Sequence, residues 1–259
     1  MKKKNWFVRG GSGGGGNTII DITTIVDGTE IATLNDGYDF MQDVRFSPDG
    51  LKFFISHYHA NGISEFTMTT PFSIATATFV DITYPTQYWW YYQQGFEFSS
   101  DGTLLFFAGN SRVISVPLST AWDISTYGTQ TIINYGVNYT NGIYIRQDGL
   151  KIYLSYYSTL QAIREFDLST AWDISSYTLV NTLILTDNPK NTFFSEDGST
   201  MYICFSTYFE QWDLSTAWDI STAVLNSTSE INATGMYYRS DVPKVWLVDR
   251  NQKLREYNI

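Results

Sequence analysis

Short apolar runs separated by turn residues follow one another along most of this chain, and no long segment keeps its apolar residues at helical spacing. Aromatic and β-branched residues, which favour strands, recur throughout. Asp-Gly pairs divide several of these runs. Because glycine accepts the positive φ of a tight turn, each pair predicts a hairpin. The pattern therefore predicts an all-β protein.

The predicted hairpins repeat along the chain. Turns of the type Phe-Ser-Pro-Asp-Gly occupy residues 46–50, 98–102, 146–149 and 194–198, with a degenerate copy at 238–241. The octamer LSTAWDIS follows three of them, at 118–125, 168–175 and 214–221, and residues 65–74 match it with Phe72 in the Trp position. Each unit thus reads strand, turn, strand, loop, strand, octamer, strand. Five such units, about 48 residues each, predict a five-bladed β-propeller of four-stranded antiparallel blades.

Two details of this propeller can be predicted from the repeats. The last unit stops after its third strand, so we expect the N-terminal strand Glu30 to Leu34 to complete the fifth blade and close the ring. The octamer is expected to connect the third and fourth strands, with its Leu, Trp and Ile folded back onto the blades. Thr120, Thr170 and Thr216 are predicted to be the N-caps of a single helical turn.

The repeats also resemble known families. The Asp-Gly turn followed by an apolar strand resembles the propeller repeats of the TolB and YVTN kind, from about residue 30 to residue 259. The octamer resembles repeats in uncharacterised proteins of tailed bacteriophages, especially marine ones. A five-bladed disc is also similar in architecture to the animal lectin tachylectin. The phage resemblance implies a virion component, such as a tail-fibre, receptor-binding or capsid-decorating propeller.

The first 17 residues differ in character from the rest and predict a separate N-terminal arm, leaving 18–259 for the propeller. A basic and aromatic peptide precedes a glycine-rich run at 10–16, which lacks the apolar length of a secretory signal. We expect this arm to bind other virion proteins, with the protein made in the host cytoplasm. The expected anchor residues are Lys3, Lys4, Trp6, Phe7 and Arg9.

Composition excludes some partners. The formal net charge of −10 argues against nucleic acid, whose binding proteins concentrate Lys and Arg on one face. No run of apolar residues is long enough to predict membrane insertion. The single Cys204 lies in a strand-like run and is expected to be a buried thiol. His57 and His59 could share one side of a strand, but without companion ligands no metal or other cofactor is predicted.

The repeats predict that the Asp-Gly turns and octamers share one face of the disc, and that irregular loops form the other. These loops are rich in aromatic side chains, which give a large contact area at low entropic cost. We therefore predict that the loop face binds a host-surface glycan or protein; the alternative for each ring is core packing. The predicted binding residues are Tyr58, His59, Tyr88, Trp89, Trp90, Tyr91, Tyr92, Tyr139, Tyr157 and Tyr208.

Three functional classes fit the sequence. The leading one is a non-enzymatic virion component, because no nucleophile-elbow, zinc-protease or phosphate-loop motif is present. The second is a free carbohydrate-binding lectin. The third is a glycan-cleaving enzyme, which needs paired carboxylates; Asp39, Asp43 and Glu97 are the candidates.

Overall fold

The computed structural model describes residues 29–33, 40–58, 62–85, 95–135, 139–157, 160–242, 244–249, 251 and 253–258. These residues form five separate four-stranded antiparallel sheets. Four of the sheets are simple meanders of consecutive strands, so neighbours in sequence are neighbours in space. Five such sheets with apolar clusters between them make a five-bladed β-propeller, as predicted.

The strand bounds follow the repeats. The strands are β1 (Thr29–Thr33), β2 (Met41–Phe46), β3 (Lys52–His57), β4 (Ile63–Met68), β5 (Ala77–Thr83), β6 (Gly95–Phe98), β7 (Leu104–Gly109), β8 (Arg112–Pro117), β9 (Thr131–Asn134), β10 (Thr140–Ile145), β11 (Lys151–Tyr156), β12 (Ala162–Leu168), β13 (Tyr177–Ile184), β14 (Asn191–Phe194), β15 (Thr200–Cys204), β16 (Phe209–Leu214), β17 (Ala223–Ser229), β18 (Gly235–Arg239), β19 (Lys244–Asp249) and β20 (Lys253–Asn258). Blades one to four are β2–β5, β6–β9, β10–β13 and β14–β17.

The fifth blade is closed by the N-terminal strand. Its order is β1-β20-β19-β18, with Thr29 opposite Glu256 and Glu30 opposite Arg255. The prediction that a strand beginning near residue 30 completes this blade is therefore confirmed; Leu34 lies outside the described residues. The first and last strands, β1 and β20, therefore pair in one sheet, and this pairing closes the ring. The predicted glycine-rich arm, residues 1–17, also lies outside the described residues.

The octamer and the Asp-Gly turn form one rim module in each of the first four blades. The glycine of the turn has a φ between 69° and 73°, and its carbonyl accepts a hydrogen bond from the backbone N–H of the octamer Trp, or of Phe72 in blade one, at 2.9–3.0 Å. The aromatic ring lies directly on the glycine, so that a Cβ on Gly149 would lie 2.5 Å from Trp172. Glycine is required here for its φ and for this close approach.

The helical turn of the octamer begins one residue after its aspartate. Single-turn 3-10 helices span Ile124–Thr126, Ile174–Ser176 and Ile220–Thr222, and a fourth spans Ile74–Thr76 in blade one. Asp123, Asp173 and Asp219 are the N-caps, and each accepts a hydrogen bond from the N–H of the serine two residues later. The prediction of threonine N-caps was wrong, because the aspartate carboxylate is closer to the free N–H groups. The threonine carbonyl instead accepts a bond from the aspartate N–H.

The innermost strands approach one another closely at the disc axis. A Cβ on Gly95 would lie 2.7 Å from the Cα of Gly142, and one on Gly235 would lie 2.6 Å from the Cα of Asp43. These glycines lie six residues before the turn aspartate, where blades one and four carry Asp43 and Asn191. Small residues at this position let backbones of adjacent blades pack against each other. The axis is therefore narrow at this level.

Candidate binding pocket on the disc axis

One position of the innermost strands varies in chemistry between the five blades, and only tyrosine occurs there twice. It lies four residues before the turn aspartate, or before Asp241 in blade five, and it faces the axis. We call this set the axial ring: Arg45, Glu97, Tyr144, Phe193 and Tyr237. The flanking positions carry mostly apolar residues that pack between blades, so the axial ring is where the repeats diverge in chemistry.

Arg45 occupies the centre of the axial ring. Its Nη1 donates to Asp43 Oδ1 at 2.6 Å, and its Nε donates to Glu97 Oε2 at 3.0 Å. Its guanidinium lies 4.9 Å from the centre of the Phe193 ring. Arg45 therefore connects blades one, two and four through side chains, and its Nη2 has no hydrogen-bond partner among the described residues.

Of the two carboxyl groups beside Arg45, that of Asp43 is buried and that of Glu97 is mostly covered. Asp43 is fully buried, and this burial raises its pKa to about 7; Arg45 opposes the shift and Glu97 adds to it. Burial also raises the pKa of Glu97. The pKa of Arg45 is raised by its two carboxylate partners, although burial opposes this, so the guanidinium stays charged.

A cavity of about 380 Å³ opens above the axial ring. All five ring residues line it, together with residues of the Asp-Gly turns and the rings of Trp122 and Trp172. It therefore opens on the face that carries the rim modules. Its polar lining includes Ser99, Ser100, Gln147, Glu196 and Arg239.

The polar rim of the cavity is held by bonds between blades. Arg239 of blade five donates to Asp241 and to the carbonyl of Pro48 in blade one, the latter at 2.6 Å. Glu196 of blade four accepts bonds from the N–H and hydroxyl of Ser240. The bonds to Pro48 and Glu196 fix the mouth of the cavity, because they connect the turns of neighbouring blades.

The predicted loop face is partly described. Tyr139 is 47% exposed, its ring lies 5.3 Å from that of Tyr157, and Lys190 Nζ lies 5.3 Å from the Tyr157 ring. In the next blade, Tyr208 stacks on Phe205 at 4.6 Å. The Tyr208 hydroxyl donates to Asp187. Burial is the larger cause and the negative charge of Asp187 the smaller one, and together they raise the pKa of Tyr208 to about 12.

The other predicted site residues divide into two groups. Tyr58 is described at the end of the β3 strand, where its N–H donates to the Phe40 carbonyl. The remaining loop-face residues, the anchor residues and one candidate acid lie outside the described residues: His59, Tyr88, Trp89, Trp90, Tyr91, Tyr92, Lys3, Lys4, Trp6, Phe7, Arg9 and Asp39. The loop-face recognition prediction therefore stays a prediction.

Of the histidines considered as metal ligands and the single cysteine, the structure describes His57 and Cys204, and both are buried. His57 is fully buried and bonds Ser64 at 2.9 Å through Nε2. Cys204 is fully buried, which raises the pKa of its thiol, so the prediction of a buried cysteine is confirmed. Among the described residues, no three His, Cys, Asp or Glu side chains are grouped to hold a metal. That part of the chain also contains no helix long and apolar enough to span a membrane.

Comparisons with known proteins add the fold alone. A scan of family models and a search of curated proteins found no significant match. Among solved structures, the chain resembles a proposed 6-phosphogluconolactonase from Bacteroides fragilis, with a TM-score of 0.48 and 14% identity over 80% of this chain and 59% of that one. A functionally unknown protein from Desulfotomaculum acetoxidans gives 0.48 and 14%, over 82% and 63%. The chain spans about three fifths of their length. At these identities and TM-scores, the two structures indicate no activity for this chain.

Proposed function

We propose that this chain is a non-enzymatic binding propeller that forms part of a bacteriophage particle, attached through residues 1–17. The observation that carries the non-enzymatic part is the arrangement of Asp43, Arg45 and Glu97. A glycan-cleaving site needs one carboxyl to give a proton and another to attack or activate water. Here both carboxyls are tied to one guanidinium and to backbone N–H groups, which is a structural use of acids.

The attachment part is supported by the sequence of the arm and by the phage resemblance of the octamer. Trp6 and Phe7 are apolar anchors between basic residues. The glycine run after them has the composition of a linker between the anchor and the propeller. A propeller closed by its own N-terminal strand needs nothing from residues 1–17 to complete its sheets. The arm is therefore available for a partner, in this proposal a protein of the particle.

Deletion of residues 1–17 tests this proposal. The shortened chain should purify as a soluble, folded propeller with an unchanged circular dichroism spectrum. Expressed during infection by a phage whose genome carries only the deleted form, it should be absent from purified particles analysed by mass spectrometry. Incorporation at full occupancy would refute attachment through the arm. The matched control replaces Lys3 and Lys4 by Arg, which keeps the charge and should keep incorporation.

Recognition and catalysis need separate assays. If the loop face binds the host, replacing Trp89 and Trp90 together by Ala should abolish attachment while the disc remains folded. Loss of folding would show that these rings are core residues. Release of sugars from a polysaccharide by the wild type, lost in Asp43→Asn or Glu97→Gln, would replace the non-enzymatic proposal with the glycan-cleaving alternative.

A further inference from the structure

We infer that the axial cavity is a binding site for a neutral saccharide, with the axial ring as its floor and walls. The inference goes beyond the proposed function, because the cavity opens on the rim-module face and not on the predicted loop face. It depends neither on incorporation into a particle nor on the arm.

The size and shape of the cavity fit a small ligand. Its volume of about 380 Å³ lies in the lower part of the range of small-molecule sites, roughly 300–1,000 Å³. Side chains contribute to the floor, since the Arg45 guanidinium lies 4.9 Å from the centre of the Phe193 ring. The volume suits a ligand the size of one or two pyranose rings.

The walls present aromatic faces. Tyr144 and Tyr237 are half-buried, so part of each ring is covered by the blades and part faces the cavity. Tyr144 packs against Phe194 at 5.2 Å and against Trp218 at 6.2 Å, which fixes its orientation. One side of a pyranose ring presents only C–H groups, and such a surface packs on an aromatic ring. Preoriented rings bind it at little entropic cost.

The polar groups of the cavity suit hydroxyl ligands. Glu97 offers carboxylate oxygens, and its side chain is 14% exposed. Arg45 has one buried guanidinium nitrogen, Nη2, without a partner among the described residues, and such a donor is costly to leave unpaired. A sugar hydroxyl both donates and accepts hydrogen bonds, so a single hydroxyl could bond both groups. Ser99, Ser100 and Gln147 add neutral partners closer to the mouth.

The charges argue against an ionic ligand. An anion would meet Glu97 and Glu196, and Arg45 is already paired with two carboxyls. A cation would meet Arg45 at the floor, where the guanidinium already occupies the face of Phe193. The formal charge of −10 for the whole chain further disfavours anions at long range. An uncharged, hydroxyl-rich ligand avoids both conflicts.

The test uses the full chain on an array of neutral oligosaccharides, followed by calorimetric titration of the glycans it retains. Tyr144→Leu removes a wall of the cavity, and Glu97→Gln keeps the shape of the floor but removes its charge. We expect each to weaken binding about tenfold or more, the loss of one good contact. Tyr127→Leu is the matched control, since Tyr127 is 43% exposed and does not line the cavity, and this change should leave affinity unchanged.

Circular dichroism and the urea midpoint identify variants that fail to fold. If Tyr144→Leu is one of them, Glu97→Gln carries the test alone. The inference is overturned if no neutral glycan binds, or if the folded cavity variants bind as tightly as the wild type, whether or not Tyr127→Leu loses binding. Binding of tetramethylammonium or inorganic phosphate, with no glycan bound, would also overturn it by showing that the ligand is an ion.

Discussion

The rim modules and the axial ring are built from the same repeats but follow opposite rules. At the rim, three blades use the same eight residues, and the fourth copy keeps the geometry with Phe72 in place of Trp. At the axis, the equivalent position carries four different residue types in five blades, with tyrosine occurring twice. The rim module is thus needed for each blade to form, whereas the residue types of the axial ring can vary without disturbing the blades. Binding chemistry is therefore best sought at the axis.

The rim modules also differ from the ring in how they are stabilised. Each depends on a glycine with positive φ and an aromatic ring packed on it, joined in blades two to four by an aspartate cap, all within one blade. The axial ring depends on contacts between blades, since Arg45 reaches blades two, four and five. A single substitution should therefore lower the free energy of unfolding less at the rim than at the axis.

Among the substitutions considered, Arg45→Met is expected to lower the free energy of unfolding the most. It leaves Asp43 and Glu97 buried without their counter-charge, and breaking a buried ion pair costs about 3–5 kcal/mol. The cost should be smaller at pH 5 than at pH 8, because the raised pKa values let both carboxyls take up protons. Urea unfolding at the two pH values measures this. Arg146→Met, at the rim, should cost about 1 kcal/mol or less; equal costs would contradict the comparison.

Gly149→Ala is expected to lower the free energy of unfolding by about 2–4 kcal/mol, because the left-handed backbone is strained for alanine and its Cβ overlaps with Trp172. In a Trp172→Ala background the overlap is gone, so the same change should cost only about 1 kcal/mol. A double-mutant cycle measured by urea unfolding separates the two terms. Similar couplings at Gly102 and Gly198 would support equivalent rim modules. Couplings that differ widely would break that equivalence.

The sequence predicted the rim well because its signals are local. An Asp-Gly pair and an octamer each define their own backbone geometry, and their repetition gave the blade count and the closing strand. The one error there, the threonine N-caps, came from choosing between two capping side chains three residues apart. Sequence alone does not show which of Thr170 and Asp173 lies nearer the free N–H groups.

The axial cavity was missed for a physical reason. Its ring residues are about 50 residues apart in sequence and meet only when five blades converge, so no local pattern marks them. Asp43 and Glu97 were singled out only as candidate acids, and Arg45, which binds both, was not. An alignment of the repeats that looks for a position of varying chemistry on the innermost strands would find the ring. Aromatic abundance pointed instead to the opposite face.

Asp43→Asn should flatten the pH dependence of stability. The folded-state pKa of Asp43 is about 7 and lies above its usual value, so its contribution is full at low pH and is lost as pH rises through 7. One such group changes the free energy of unfolding by at most about 1.4 kcal/mol per pH unit. Urea midpoints of the wild type should therefore fall between pH 5 and pH 8 more steeply than those of the variant. Parallel curves would show that Asp43 does not titrate there.

Asp173→Ala is expected to have the smallest of these effects, about 1 kcal/mol, because it removes one N-cap. Hydrogen bonds from the Ser175 hydroxyl and N–H lower the pKa of Asp173, so its contribution is present at neutral pH and is lost as pH falls through that lowered pKa. Blade one supplies the control: Ser73 makes no side-chain cap, so Ser73→Ala should change the urea midpoint little, and Ser73→Asp should raise it. If Ser73→Ala costs as much as Asp173→Ala, the octamer aspartate is not what stabilises the turn, and the rim modules owe their sequence identity to something other than capping.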